Sequence, residues 1–192
     1  MTRQAMIAAG AVALAAALGL GYALGGGRAR GPARGPVAYG FDFPVGPPDA
    51  AGYYDAQPFG RNQHLGADWN DVHGGDSDLG APVFAVAAGR VVQAEDLGGG
   101  WGNVVRVVHR LREGRAVREV ESLYAHLDAI EVVVGAQLGR GQRLGTIGTA
   151  GGHYGPHLHF ELRTQAGLPL GGGYGEPLGQ VDPSAFIRAH RP

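Results

Sequence analysis

The sequence predicts an all-β protein whose antiparallel sheets form an open, barrel-like or sandwich-like groove. Glycine and proline are frequent, at 36 and 12 of 192 residues, and both residue types break helices and supply turns. Between the turns lie short β-branched or alternating segments, which are typical of strands. The glycines follow no strict period, which excludes a collagen-like chain.

The net charge and the cysteine content of the chain exclude several classes of partner and metal site. Sixteen basic residues nearly balance seventeen acidic ones, for a net charge of −1, so no whole-chain basic character points to a nucleic-acid partner. The chain has no cysteine, which excludes disulfides and thiolate metal sites. Any metal must therefore be held by histidine, aspartate or glutamate.

The first 27 residues are interpreted as a signal peptide or membrane anchor. Residues 5–24 carry no charge, and their length matches the roughly 20 residues that an α-helix needs to cross a bilayer. Small residues at Ala23–Gly25 also offer a cleavage site, so an anchoring hydrophobic helix and a cleaved signal peptide both stay open. Either one predicts an exported protein at the periplasmic or extracellular face, with membrane contact through residues 5–24 if they are retained.

The folded domain is expected at residues 51–192, after a linker at residues 28–50 that is rich in glycine, proline and arginine. Aromatic residues return from Tyr39, which indicates a lead-in wrapping the domain over residues 38–60. In chain order, the remaining predicted elements are strands at 82–86, 89–94, 104–109, 116–127 and 130–134, a strand–turn–strand unit at 137–148, a strand within 155–163, and a short helical or capping segment at 181–187.

The run from Gly155 to Arg163 contains the clearest candidate site. Successive side chains of a strand point to opposite faces, so Leu158, Phe160 and Leu162 define a core face. The other face carries four polar side chains: His157, His159, Glu161 and Arg163. Two adjacent imidazoles suit a metal or acid–base site. A solvated polar strand face is the alternative.

Two other segments carry histidine or aspartate side chains that suit the same kind of site. His64 and Asp68 are four residues apart and share a face in a strand or a helix; Gly66 lies between them and leaves room for an ion. His126 follows Ser122 and Tyr124 on one face of a predicted strand, so the pattern places it on that polar face. A compact antiparallel fold can gather these segments around a metal with an open coordination position.

Together the motifs closely resemble the lysostaphin/LytM-type zinc metallopeptidases, peptidase family M23. The resemblance is carried by His64-x-x-x-Asp68, by the run from Tyr124 to Leu127, and by the run from Gly155 to Glu161. It extends over roughly residues 60–187 and implies a LytM-like fold with a duplicated hybrid motif. It also implies that Zn²⁺ is bound by His64, Asp68 and His159, and that His126 and His157 are catalytic.

The implied function is zinc-dependent hydrolysis of peptide bonds in peptidoglycan stems or crosslinks, with peptidoglycan peptides as the partner and no identifiable regulatory protein. Two alternatives stay open. One is a non-catalytic relative that binds the cell wall or activates an amidase, and the other is a phosphocarrier of the sugar-transport system, whose histidines accept phosphate. His73, His109, His153 and His190 lie outside the matched positions, although His153 is close enough in sequence to contact a substrate.

Overall fold

The computed structural model describes residues 35–192, and these form a mostly antiparallel β structure, which confirms the predicted fold class. The segments of this region are β1 (Val37–Ala38), β2 (Tyr53–Gln57), β3 (Ala67–Asp71), β4 (Pro82–Phe84), β5 (Gly89–Asp96), β6 (Asn103–Glu113), β7 (Ala116–Ile130), β8 (Gln137–Leu138), β9 (Arg143–Ile147), β10 (Leu158–Arg163), β11 (Gln180–Val181) and α1 (Pro183–Ala189). Short helical turns occupy Gly46–Ala50 and Arg61–Gln63.

The strands follow one main path, in the order β2-β3-β10-β7-β6-β5-β8, with β9 joining β7 to β4. Strands β6 and β7 form a long hairpin whose turn closes between Glu113 and Ala116. Valine is frequent in β6, and its branched side chains favour the extended backbone. Strand β10 lies between β3 and β7, so it is flanked on both edges by antiparallel neighbours.

The main core lies on one face of this sheet. The predicted alternation of β10 is confirmed, because Leu158, Phe160 and Leu162 are fully buried in that core. A smaller apolar cluster of Val104, Leu123 and Ala125 lies elsewhere and packs against Trp101 and Leu170. Because the central strands are covered on both sides, even their polar side chains are shielded from water.

The folded unit begins before residue 51, the boundary expected from the sequence. Ala38, Phe41, Phe43 and Val45 are all buried in the core, so this part of the expected linker belongs to the domain. The physical reason is that these side chains complete the core formed by elements later in the chain. Phe41, for example, packs edge-on against Phe186 in α1. Residues 1–34, with the expected export segment, lie outside the described region. Among the residues described, no helix is long and apolar enough to span a bilayer.

The chain also departs from prediction after β7. A strand was expected at residues 130–134, but β7 ends at Ile130 and the next four residues form no strand. Val133 and Val134 are largely exposed, at 71% and 60% of their surfaces. Their branched side chains favour extended backbone, but burial is missing, and local propensity alone does not make a strand.

Candidate metal centre

Three elements bring His64, Asp68 and His159 together. Asp68 in β3 and His159 in β10 are direct cross-strand partners. His64 comes from the turn before β3, where its backbone bridges to Tyr174. All three side chains are buried, and one ligand atom of each lies within 4.8 Å of the other two. This is the only such group of three or more metal-ligating side chains in the described part of the chain.

The inward-facing atoms are close to one another. His159 Nδ1 lies 2.9 Å from Asp68 Oδ1 and 3.0 Å from His64 Nε2, and His64 Nε2 lies 3.3 Å from Asp68 Oδ1. Ligands held 2.0–2.1 Å from a tetrahedral zinc ion are separated by about 3.3 Å. The donor set of two imidazole nitrogens and one carboxylate oxygen therefore fits zinc in kind and in spacing.

The outward ring nitrogens fix the orientation of both histidines. His64 Nδ1 donates to the Gln57 carbonyl oxygen at 2.8 Å, and His159 Nε2 donates to Glu161 Oε1 at 3.1 Å. Because these acceptors bind the outer N–H groups, Nε2 of His64 and Nδ1 of His159 are directed at the cluster. Such second partners orient metal-binding imidazoles and raise their basicity.

Gly66 has a different role from the one expected. A Cβ at this position would lie 2.6 Å from the Phe160 carbonyl oxygen and 2.9 Å from Cε1 of His159. The missing side chain therefore makes room for strand β10 and the His159 ring rather than for an ion. Gly66 also precedes β3, so it does not share a strand face with Asp68.

The electrostatics of the cluster favour positive charge at its centre. Burial disfavours the Asp68 carboxylate, but hydrogen bonds with His159 and His64 outweigh it and hold the pKa of Asp68 far below its usual range. Burial likewise opposes a charged His159, yet Asp68 and Glu161 raise its pKa to about 9. Two carboxylates thus stabilise a cation at this position, which is also what a divalent metal ion requires.

His126 reaches the same site through a β-bulge. Ala125 and His126 together oppose Val104, because the β6–β7 register shifts between Asn103 and Val105. The backbone of His126 has φ +62°, an uncommon conformation for a residue other than glycine. A bulge re-aims side chains, so the expected shared face with Tyr124 is wrong: Tyr124 packs on Phe160 in the core.

The two remaining candidate histidines lie side by side. The ring of His126 is 4.8 Å from that of His157, between centroids, and 5.5 Å from that of His159. Nδ1 of His126 donates to the Trp101 carbonyl at 3.3 Å, and Nδ1 of His157 donates to the Gly155 carbonyl at 2.9 Å. Nε2 of each ring takes no part in these bonds and can accept a proton.

Their environments differ in exposure and charge. Burial, with the neighbouring His159 and His157, lowers the pKa of His126 to about 3, which keeps that ring neutral. His157 is more exposed, at 16% of its side chain, and its Nε2 lies 3.9 Å from Asp68 Oδ1. The structure thus brings all five sequence-predicted site residues into one cluster.

A groove of about 350 Å³ opens onto this cluster. Its walls include side chains that the sequence did not identify as site residues: Gln57, Trp101, Tyr154 and Tyr174. No motif spacing marked these residues as site residues. For Trp101, Tyr154 and Tyr174 the only signal was an aromatic residue beside glycine, and Gln57 lacked even that. Gly100, Gly172 and Gly173 also line the groove and leave the space beside the histidines open.

The other histidines lie outside the groove lining. His73 is exposed and hydrogen-bonded to Asp71, and His109 is buried between Ala88 and Ser122. His153 lies in an exposed loop and lines a separate hollow, while His190 follows α1. A larger cavity of about 650 Å³ lies beside Tyr53 and Trp69 and contains none of the histidines.

Glu161 and Arg163 are fully buried, so the alternative of a solvated polar face on β10 is wrong. A strand pattern shows which side chains share a face but not what covers that face. Here the chain that follows β10 covers it, with the carbonyl oxygens of Leu168, Pro169 and Leu170 pointing at Arg163.

Comparison with known proteins gives a consistent result. Residues 63–170 match the model for peptidase family M23. The chain is 36% identical over 137 residues to the DD-carboxypeptidase/endopeptidase Mpg of Neisseria meningitidis, which covers 68% of this chain but only 30% of that relative.

Solved structures are similar as well. A peptidase M23 structure from Pseudomonas aeruginosa superposes with a TM-score of 0.57 and 28% identity, covering 80% of this chain and 54% of that one. A zinc-containing peptidase from Vibrio cholerae superposes with a TM-score of 0.52 and 28% identity, covering 69% of this chain and 41% of that one.

Proposed function

Because the chain belongs to peptidase family M23, we propose that it is a zinc-dependent endopeptidase that hydrolyses peptide bonds in peptidoglycan stems or crosslinks. One observation carries the proposal: three ligand atoms lie 2.9–3.3 Å apart next to a pair of histidines in an open groove. The Neisseria relative, named as a carboxypeptidase and endopeptidase, and the zinc-containing Vibrio peptidase support it.

In this proposal His64, Asp68 and His159 hold the metal, with the open position towards the groove. Bound zinc can lower the pKa of a water molecule to about 7 and polarise a carbonyl group. The protein's own contribution is to fix the three ligands through Gln57 and Glu161 and to bury them, which strengthens their electrostatic effect.

His126 and His157 supply the proton chemistry. Both rings keep Nε2 free, since their Nδ1 atoms donate to backbone carbonyls. One ring assists proton transfer while the other orients the water or stabilises the developing oxyanion.

The groove suits a narrow, extended peptide. Gly100, Gly172 and Gly173 contribute no side chains to its walls, and Tyr154 and Tyr174 are half exposed at its rim. A peptide of small residues can therefore approach the histidines closely. We further propose that the protein is exported to the periplasmic or extracellular face, with residues 1–27 as signal or anchor, residues 28–34 as a tether, and the substrate in the adjacent wall.

The first test is metal content and bond cleavage. The purified full-length chain is expected to contain about one zinc ion by plasma mass spectrometry and to release muropeptides from purified sacculi, whose masses identify the bond cut. The absence of zinc, together with no release, would favour the cell-wall-binding or amidase-activating alternative. Phosphorylation of His157 by a phosphohistidine donor, with no bound zinc, would favour the phosphocarrier.

We predict that His159→Ala abolishes both zinc retention and muropeptide release, because it removes one of three ligands. His153→Ala changes an exposed loop histidine and should leave both unchanged. Retention of one zinc ion by a folded His159→Ala protein, shown by the same metal analysis, would exclude His159 as a ligand.

We predict that His126→Ala keeps the zinc ion but releases muropeptides about 10²–10⁴-fold more slowly, the usual loss when general acid–base or oxyanion help is removed. Rate and metal content are measured on the same sample. Hydrolysis of sacculi at the parent rate would show that His126 takes no part in the chemistry.

A further inference from the structure

Arg163 is the centre of a buried ion-pair network behind the metal site. Its side chain is fully buried, and its Nε and Nη2 atoms donate to Glu161 Oε2 at 2.9 and 2.7 Å. Glu161 uses its other oxygen to accept from His159. A single carboxylate therefore joins a metal-ligating imidazole to a guanidinium in the protein interior.

The same guanidinium holds the chain that follows β10. Arg163 Nη1 donates to the carbonyl oxygens of Leu168 and Pro169 at 3.3 and 3.2 Å, and Nη2 donates to that of Leu170 at 3.0 Å. Residues 168–174, here called the wall segment, end in the groove-lining Gly172, Gly173 and Tyr174.

A second ion pair supports the first. Glu121 in β7 is fully buried, and its Oε1 lies 2.6 Å from Arg106 Nη2 and 3.7 Å from Arg163 Nη1. Arg106 also donates to the Leu168 carbonyl at 2.8 Å, and Glu121 accepts from the Gly167 amide at 3.0 Å. Two arginines and two glutamates thus alternate in sign, which compensates the cost of burying each charge.

The far end of the wall segment is fixed by residues of the groove. Trp101 Nε1 donates to the Gly171 carbonyl at 3.2 Å, and the Leu65 amide donates to the Gly173 carbonyl at 2.9 Å. Five carbonyl oxygens between Leu168 and Gly173 are therefore bound by fixed donors. The position of the groove wall depends on Arg163 at one end and on the neighbours of His64 and His126 at the other.

We propose that Glu161 and Arg163 are positioning residues that couple the metal site to the groove wall. Glu161 orients the His159 ring, and Arg163 holds both Glu161 and the wall segment, so that metal binding and peptide binding depend on one buried group. This inference rests on the proposed function for its substrate, a peptidoglycan peptide, but not for its metal and backbone contacts.

Glu161→Gln tests whether Glu161 supports metal binding through His159. The amide keeps the size of the side chain and one acceptor, but it loses the negative charge that His159 and Arg163 share. Zinc affinity, measured by competition with a chromophoric chelator, is expected to fall about 10–100-fold, as is usual when a second partner of a metal ligand is altered. Cobalt substitution provides a second readout, because a tilted His159 ring changes the visible spectrum.

Arg163→Lys tests the coupling. Lysine keeps the charge but lacks the planar fork that binds Glu161 and three carbonyls at once. We expect faster subtilisin cleavage within residues 164–174, a rise in KM for sacculi that exceeds the fall in kcat, and a loss of zinc affinity of about 2–30-fold. Added zinc should slow that cleavage in the parent more than in the variant.

Glu113 and Arg118 provide the matched control. They form a similar two-pronged pair at the exposed end of the β6–β7 hairpin, with contacts of 2.7 and 2.9 Å. Glu113→Gln and Arg118→Lys should leave zinc affinity, KM and cleavage of the wall segment unchanged. If Arg163→Lys does not fold, Arg106→Lys removes the Leu168 contact from the other ion pair and is tested in the same way.

The proposal is wrong if folded Glu161→Gln binds zinc as tightly as the parent. It is also wrong if Arg163→Lys lowers thermal stability but leaves zinc affinity and cleavage of the wall segment unchanged, because Arg163 would then be structural only. Zinc affinity and proteolysis need no turnover, so a parent protein that fails to hydrolyse sacculi would overturn the proposed function while these measurements still decide this inference.

Discussion

His159 depends on contacts with both of its ring nitrogens. Nδ1 faces Asp68 and His64, and Nε2 faces Glu161, so the ring is held between two carboxylates. Its direction is set by β10, whose alternation turns Phe160 into the core and His159 away from it. A small change in the position of β10 would therefore move the ligand atom, and Gly66 is the residue that sets how closely the chain approaches this strand.

We predict that Gly66→Ala destabilises the fold by about 1–3 kcal/mol, the usual cost of overpacking a close-packed site, and weakens zinc binding as well. The added methyl group would lie 2.6 Å from the Phe160 carbonyl oxygen and 2.9 Å from the His159 ring. Urea unfolding and chelator competition measure the two effects. Gly139→Ala is the control, because a Cβ there meets no atom within 4 Å. Equal behaviour of the two variants would contradict this account of Gly66.

At the scale of the element, the bulge in β7 converts a core-facing strand position into a groove-facing one. Without it, His126 would follow Tyr124 into the main core. The extra residue opposite Val104 turns the imidazole towards His157, at the cost of a left-handed backbone conformation. Non-glycine residues in this conformation carry about 1–2 kcal/mol of strain. Strain of this kind is common at functional sites.

The bulge predicts an inversion of the usual glycine effect. Glycine in a strand is normally less stable than alanine, but His126→Gly should be more stable than His126→Ala by about 1 kcal/mol, because only alanine keeps the strain at φ +62°. The same comparison one residue earlier, Ala125→Gly, should lower stability. Thermal unfolding of the three variants measures this; a more stable His126→Ala would argue against a strained bulge.

The bulge also shows what the sequence could and could not predict. Alternation alone predicted the strand β10 and its core face. The strand-face positions of His64, Asp68, His126, His157 and His159 marked them as candidates, and the resemblance to family M23 implied their roles. The orientation of His126 depends on the pairing register of β6 with β7, which no local pattern encodes. The burial of Glu161 and Arg163 depends on the chain at residues 164–173, which has no hydrophobic periodicity. Trp101, Tyr154 and Tyr174, the aromatic residues that line the groove, also lie in segments without periodicity.

At the scale of the whole molecule, the two ends of the described chain pack together beside strand β6. Phe41 packs edge-on against both His109 in β6 and Phe186 in α1, with centroid distances of 5.4 and 5.3 Å. The Phe41 amide donates to the His190 carbonyl at 2.9 Å. Segments more than 140 residues apart in the sequence thus meet at Phe41, which also packs on the buried His109. His109 is therefore a reporter of global folding rather than of the groove.

We predict that His109 makes folding sensitive to mild acid. Burial lowers its pKa to about 4 from the ordinary value of about 6.5, and hydrogen bonds to backbone carbonyls oppose this shift only in part. Between these values the unfolded chain binds a proton that the folded chain does not, so stability falls as the pH falls from 6.5 towards 4. The full difference is about 3 kcal/mol, and above pH 6.5 this contribution is constant.

His109→Gln isolates this effect, because glutamine does not titrate. The free energy of unfolding in urea is measured for parent and variant at several pH values between 4 and 8. The parent's advantage over His109→Gln should be constant above pH 6.5 and shrink below it, whereas His153→Gln, at an exposed loop position, should follow the parent throughout. Other acid-sensitive groups, including the proposed metal ligands, are present in all three proteins and cancel in the comparison. A pH-independent difference between parent and His109→Gln would mean that His109 is protonated as readily in the folded core as in the unfolded chain.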